Sequence, residues 1–79
     1  MEYELTDNDL DKLCNIFTYH KPIGNQSDRY DDIRNTAKNF AMLLKQVTPP
    51  SREQSIALTK LEEVCFWANA AIARNEKEA

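Results

Sequence analysis

The side chains best suited to chemistry are concentrated between Phe17 and Arg34, where aromatic, cationic and amide groups are interleaved. Aromatic rings stack on nucleobases, guanidinium groups pair with phosphates through two hydrogen bonds, and amides read the edges of bases. This mixture indicates a site for a small phosphorylated ligand that carries a base. The candidate residues in this stretch are Tyr19, His20, Lys21, Gln26, Arg29, Tyr30 and Arg34.

A purely structural interpretation of the same residues stays open. Tyr30 can cover the hydrophobic core, and the loop before it can be a simple connector. Arg29 and Arg34 can form ion pairs with nearby aspartates. Composition alone favours this structural interpretation over the ligand site.

Asn69 is a second candidate because it is a polar residue within the apolar segment 67–73. A buried amide without hydrogen-bond partners is costly. Asn69 therefore either bonds across an interface between copies of the chain, where a polar residue can set the register, or faces a polar ligand.

The residues that could take part in catalysis lack the partners and the spacing of a catalytic site. His20 is the only histidine, and nothing in the sequence fixes a partner that would orient it as a general base. Glu62 and Glu63 are adjacent, so their carboxylates point about 100° apart on a helix. Cys14 and Cys65 lack the spacing of metal ligands, which predicts two reduced thiols in the core. We therefore expect no enzymatic activity, no cofactor and no metal.

Length and charge narrow the class of protein further. The 79 residues suffice for one domain, 1–79. The net charge of −3 is unlike that of a duplex nucleic-acid binder, although residues 14–60 carry seven bases against four acids and could receive a small anion. The longest apolar run, 64–73, is about half of a membrane span. We expect a cytoplasmic protein whose partners include neither duplex nucleic acid nor a membrane.

Apolar residues recur at helical spacing in three segments, which predicts an all-α fold. The predicted elements are helices over about 6–17, about 27–47 and about 51–75, with a loop over 18–26. Because only a short turn separates the last two helices, they should form a long antiparallel hairpin that follows the short N-terminal helix.

Local signals mark the ends of these helices. Thr6 is placed to cap the first helix, and the prolines at 49–50 stop the second. Ser51 and Gln54 match a capping box at the start of the third helix. The charged tail, 76–78, is expected to fray.

The third helix is apolar around more than half of its circumference over residues 64–73. A helix in a two-helix hairpin can bury only one face, so its second face should meet another chain. The fold class that we predict is therefore a helical hairpin assembled into a homo-oligomeric helical bundle.

Four motifs in series resemble the phage helical-hairpin proteins that counter the CBASS and Thoeris bacterial defences. The resemblance covers about 17–75, most of the chain. The motifs are Phe17-Thr-Tyr-His-Lys-Pro22, Gln26-x-x-Arg29-Tyr30-x-x-Ile33-Arg34, Pro50-Ser51-x-Glu53-Gln54 and Trp67-Ala-Asn69-Ala-Ala-Ile-Ala73.

The resemblance implies a sponge that acts in the host cytoplasm and is not an enzyme. Such proteins are homo-oligomers, commonly hexamers, that bind cyclic dinucleotides, cyclic trinucleotides or cyclic ADP-ribose isomers without cleaving them. The ligand-binding residues carried over by matching motif are Tyr19, His20, Gln26, Arg29, Tyr30, Arg34, Arg52, Asn69 and Arg74. The alternative is a small interaction module that docks on a host protein through an exposed apolar helix face.

Overall fold

The computed structural model describes residues 2–77, and this part of the chain folds into three helices without a strand. The helices are α1 (Asp7–Phe17), α2 (Gln26–Val47) and α3 (Arg52–Asn75). The last two lie antiparallel and make the main packing contact of the chain. The predicted all-α class is therefore confirmed.

Two reciprocal hydrogen bonds cap the N-terminus of the first helix. The Thr6 hydroxyl accepts a hydrogen bond from the Asp9 backbone N–H at 3.1 Å, and the Asp9 carboxylate accepts one from the Thr6 N–H at 3.1 Å. This reciprocal pair is a capping box, and it confirms Thr6 as the N-cap. The hydrogen bond from the Thr6 backbone N–H, and after it the interaction with the Thr6 hydroxyl, lower the pKa of Asp9 below its ordinary value, because both favour the charged carboxylate.

The loop before α2 turns at Gly24, whose φ of 53° lies in the left-handed region that a glycine adopts without a steric penalty. The helix begins at Gln26, one residue before the predicted start, and its N-cap, Asn25, makes no side-chain capping bond. It ends at Val47, where the Thr48 backbone N–H donates to the Leu44 carbonyl at 3.1 Å before the two prolines.

The predicted capping box at the start of α3 forms only in part. The Ser51 hydroxyl accepts from the Gln54 N–H at 3.1 Å, as expected for an N-cap. The Gln54 side chain does not return to Ser51. Its amide nitrogen instead donates to the carbonyl and the hydroxyl of Thr48, both at 3.0 Å. Gln54 therefore joins α3 to the end of α2 and closes the hairpin turn.

The chain is a single layer of helices rather than a globule. Its radius of gyration is 17.2 Å, against about 12 Å for a compact chain of this length. The smallest dimension, 13 Å, is close to the diameter of one helix with its side chains. A single layer leaves each helix in contact with its neighbours only along an edge.

This flat shape leaves the apolar side chains without a core. No hydrophobic residue within 2–77 is buried, and the two buried residues are Gln26 and Gln54. The expectation of two core thiols is wrong for Cys14, which is exposed, while Cys65 is partly buried against α2. The apolar stripe of α1 that carries Cys14 has no fully buried residue.

Candidate functional site

The predicted ligand-binding residues fall into two groups in the structure. The first group surrounds the loop cavity, a depression of about 310 Å³ between the α1–α2 loop and the end of α3. It is lined by Tyr19, His20, Lys21, Ile23, Gln26, Ala73, Glu76 and Lys77. Tyr19 is 82% exposed, so its ring is free to stack on a planar group.

His20 is turned back onto α1. Its Nε2 lies 2.7 Å from the Asn15 backbone oxygen. Because a carbonyl oxygen can only accept, Nε2 carries a proton and donates it to this bond. The Asn15 side chain in turn donates to the Arg74 carbonyl at 3.1 Å, so the end of α1 is tied to the end of α3.

Arg29 is held by an acid at the far end of the hairpin. Its Nη1 donates to Glu76 Oε2 at 2.9 Å, and its Nη2 donates to Glu76 Oε1. Its Nε donates to Asn25 Oδ1 at 3.1 Å. The hydrogen bonds between Arg29 and Glu76 raise the pKa of Arg29 and lower the pKa of Glu76, because each charged form stabilises the other.

The second group lies farther along the hairpin, in what we call the polar groove. This groove has a volume of about 450 Å³, and its polar or aromatic lining residues are Arg34, Lys38, Glu62, Phe66 and Asn69. The structure thus brings together Arg34 and Asn69, which the sequence analysis treated as separate features. Both signs of charge and an amide face the same space.

Asn69 is poorly satisfied within the chain. Its Oδ1 is buried and has no hydrogen-bond partner in the part of the chain that the structure describes, and its Nδ2 makes only a weak contact with Cys65 Sγ at 3.9 Å. The buried hydroxyl of Tyr30 also lacks a partner among residues 2–77. Native proteins leave few buried polar atoms unpaired, so these two atoms mark places where the single chain leaves a polar group unsatisfied.

The polar groove has an apolar counterpart across the α2–α3 seam. The two grooves share the seam residues Ala37, Leu61 and Cys65 and diverge from there around each helix. The apolar groove, about 540 Å³, is lined beyond the seam mainly by Ile33, Phe40, Val64 and Ala68. The polar groove thus holds its charged residues and Asn69 among largely apolar walls, whereas the groove on the other side of the seam is lined almost entirely by apolar residues.

Four predicted residues line neither the loop cavity nor the polar groove, namely Arg29, Tyr30, Arg52 and Arg74. Arg52 and Arg74 stand at opposite ends of α3, about 33 Å apart at the rise of an α-helix. The Arg74 guanidinium lies 5.9 Å from the centroid of the Trp67 ring, within the range of a cation–π contact. Within one chain, Arg52 cannot share a small-ligand site with the other candidates.

Asn15 and Glu76 were not among the residues predicted from the sequence, although both hold the loop cavity together. The contact between Glu76 and Arg29 could have been predicted from the lengths of the two helices. The arms of the hairpin are nearly equal in length, so an acid directly after α3 falls beside the first turn of α2, which carries Arg29. The tail at Glu76 is thus fixed rather than frayed, while residue 78 lies outside the described residues.

Two further properties of the described residues bear on other classes of function. Residues 2–77 include no group of three or more His, Cys, Asp or Glu side chains arranged to hold a metal ion. Within the same residues, no helix combines the length and the apolar character that crossing a bilayer requires.

Comparison with known proteins gives one match. The protein-family model described as "Acb2/Tad1, hairpin domain" matches residues 11–73, which run from α1 almost to the end of α3. No curated protein and no solved structure matches the chain. The matched residues include the α1–α2 loop and both grooves, but not Arg74 or Glu76. With this match over most of its length, the chain belongs to the Acb2/Tad1 hairpin-domain family.

Proposed function

We propose that the protein is a phage anti-defence sponge. It binds cyclic nucleotide second messengers in the host cytoplasm and holds them uncleaved, and so blocks CBASS or Thoeris signalling. The observation that carries this proposal is the family match over residues 11–73, since the family is one of anti-defence proteins that sequester cyclic nucleotides. Cyclic dinucleotides, cyclic trinucleotides and cyclic ADP-ribose isomers are the ligand classes to test.

The polar groove and the loop cavity supply chemistry that suits such ligands. A cyclic nucleotide carries phosphates that a guanidinium can neutralise, and bases that a ring can stack on and an amide can read. We assign the phosphates to Arg34 with support from Lys21, stacking to Tyr19 and His20, and base recognition to Asn69. Both Arg34 and Tyr19 are exposed and therefore available to a ligand.

Sequestration places few demands on the site. The protein must bind the messenger more tightly than the host effector does and must be abundant, but it need not lower any reaction barrier. Rigid pockets matter more, because a preorganised site loses less entropy when it captures a ligand.

The same proposal includes assembly of the chain into a homo-oligomer, with a hexamer as the expected state. A single layer with no buried hydrophobic residue among 2–77 has little to stabilise it alone. The apolar groove, with Val64 61% exposed, is the surface that we assign to contact between copies. A site that combines Arg52 with Arg74 then takes the two residues from different copies.

Docking on a host protein is the second candidate, and the exposed aromatic residues Phe66 and Trp67 favour it. Isothermal titration with a cyclic dinucleotide, a cyclic trinucleotide and a cyclic ADP-ribose isomer separates the two functions. The sponge predicts micromolar or tighter binding of at least one of them, whereas the docking module predicts none.

A second measurement distinguishes binding from hydrolysis. Protein loaded with the ligand is denatured by heat, and the released material is analysed by chromatography. The sponge predicts that the ligand returns intact. Recovery of a hydrolysed product would refute the proposal and indicate an enzyme.

A further inference from the structure

Hydrogen bonds from both sides of the α1–α2 loop lead to the end of α3. On the N-terminal side of the loop, His20 bonds to the Asn15 carbonyl, and the Asn15 side chain bonds to the Arg74 carbonyl. On the C-terminal side, Gln26 and Arg29 both bond to the Glu76 carboxylate. Tyr19 and Lys21, which flank His20, remain exposed between these anchors.

Both the oxygen and the nitrogen of the Gln26 side chain form hydrogen bonds within the chain. Its side-chain oxygen accepts a hydrogen bond from the Ile23 backbone N–H at 3.0 Å, and its amide nitrogen donates to Glu76 Oε1 at 3.4 Å. Only 4% of the residue is exposed. A ligand could reach this side chain only by displacing the loop backbone that it supports.

Arg29 is occupied in the same way. The two Glu76 oxygens take Nη1 and Nη2, and the Asn25 side chain takes Nε. A carboxylate bound by both arms of a guanidinium fills the position that a phosphate would need. These bonds take three of the five N–H donors of Arg29, so a phosphate can form a two-point bond with both arms only if Glu76 leaves first.

We infer that Glu76 closes a latch with Gln26 and Arg29 that fixes the α1–α2 loop, so that Tyr19 and Lys21 are held ready for the ligand. Gln26 and Arg29 are then positioning residues and not ligand contacts, contrary to the role that the family motif implied for them. The inference deepens the proposed function and rests on it for the part that concerns binding.

The Glu76→Ala variant should change the binding affinity in opposite directions, depending on whether Arg29 positions the loop or contacts the ligand. If Arg29 only positions the loop, removal of the carboxylate loosens Tyr19 and weakens binding of the cyclic nucleotide that the wild type binds best. We expect a loss of about fivefold, the upper end for an exposed ion pair. If Arg29 is a ligand contact, the substitution frees its guanidinium and strengthens binding, which would overturn the inference.

Charge reversal provides a rescue experiment. Arg29→Glu and Glu76→Arg should each weaken binding, and the double variant should restore it in part, because the ion pair re-forms with its ends exchanged while the bond from the Gln26 amide to residue 76 is lost. A double variant that recovers its loop but not its affinity would identify Arg29 as a ligand contact. Glu63→Ala is the matched control, because it removes an exposed glutamate whose partner is Lys60, at 3.4 Å.

Hydrogen exchange of the Ile23 amide, measured without ligand, tests the latch independently of binding. Its bond to Gln26 should open faster in each single reversal and recover in part in the double variant, while amides near Thr48 stay unchanged. Unchanged exchange at Ile23 in the single variants would overturn the latch. If the wild type binds none of the nucleotides, the proposed function fails and this exchange measurement alone decides the latch.

Discussion

Arg34 on α2 and Asn69 on α3 line one groove, and the buried Oδ1 of Asn69 has no hydrogen-bond partner among the described residues. A cation and an unsatisfied amide on opposite walls can receive the two chemically different parts of a nucleotide, its phosphate and its base. This relationship comes from the packing of the hairpin, because the two residues belong to different motifs of the sequence.

Arg34→Ala tests the phosphate contact. Its ion pair within the chain is long, at 3.6 Å from Asp31, and exposed, so its loss should change the melting temperature little. A charged hydrogen bond to a ligand contributes more, and we expect affinity to fall by about tenfold or more. Titration calorimetry measures the affinity, and light scattering verifies that the oligomer persists.

Lys12→Ala is the control for this variant, since Lys12 is an exposed cation on α1 that lines neither groove. If Arg34→Ala binds as tightly as Lys12→Ala, the polar groove is not the phosphate site.

Tyr19→Ala tests stacking in the loop cavity. The side chain is 82% exposed, so the chain loses little packing when it is removed. Loss of base stacking should weaken binding by roughly tenfold. Tyr19→Phe keeps the ring and should bind like the wild type. An equal loss in both variants would show that the hydroxyl, rather than stacking, makes the contact.

Val64→Lys tests whether the apolar groove joins copies of the chain. In a single chain the residue is 61% exposed, so a lysine there is tolerated. Between copies, the same lysine would be a buried and unpaired charge, so the oligomer should dissociate. Size-exclusion chromatography with light scattering measures the mass. Asn39→Lys, an exposed position outside both grooves, should leave the mass unchanged. A wild type of monomer mass would reject this interface altogether.

Because of the Glu76–Arg29 pair, we expect the stability of the fold to depend on pH in the acidic range. The hydrogen bonds from Arg29, chiefly, keep the pKa of Glu76 in the folded chain below its ordinary value of 4.5. The pair therefore contributes its full stability above that value and loses it as pH falls through the lower, folded pKa. Glu76→Gln should melt below the wild type at neutral pH, and the two melting curves should converge in acid.

Circular dichroism melts across this range measure the difference between the two proteins. Asp9, whose pKa is also lowered, is present in both, so its contribution cancels. A difference that stays constant down to strongly acidic pH would show that the Glu76 charge does not stabilise the fold.

The helices could be predicted from the sequence because their determinants are local. Periodic apolar residues, Thr6 and Ser51 as caps, and two prolines act within a few residues of the helix ends. The exposed Cys14 was not foreseen, because apolar periodicity indicates which face of a helix is apolar but not what covers it. The Gln54 bonds to Thr48 depend on a turn that brings two helix ends together.

The site was less predictable because its contacts cross the hairpin. The structural interpretation allowed both arginines to pair with nearby aspartates, and this holds for Arg34, which meets Asp31 one turn away. Arg29 instead pairs with Glu76, a residue that is distant in sequence and adjacent only after α2 and α3 fold together. Whether an arginine is free to contact a ligand therefore depends on neighbours that are distant in the sequence.

Asn69→Leu distinguishes the two roles that its buried amide can have. Leucine removes an unsatisfied polar atom, so the melting temperature should not fall. If the amide reads a base, as we propose, affinity should drop by about tenfold, the value of one good hydrogen bond, with the oligomer unchanged. If it instead bonds between copies, the mass measured by light scattering should change and the affinity per assembled site should not. Asn39→Leu, on the exposed outer face of α2, controls for the residue type and should alter neither quantity.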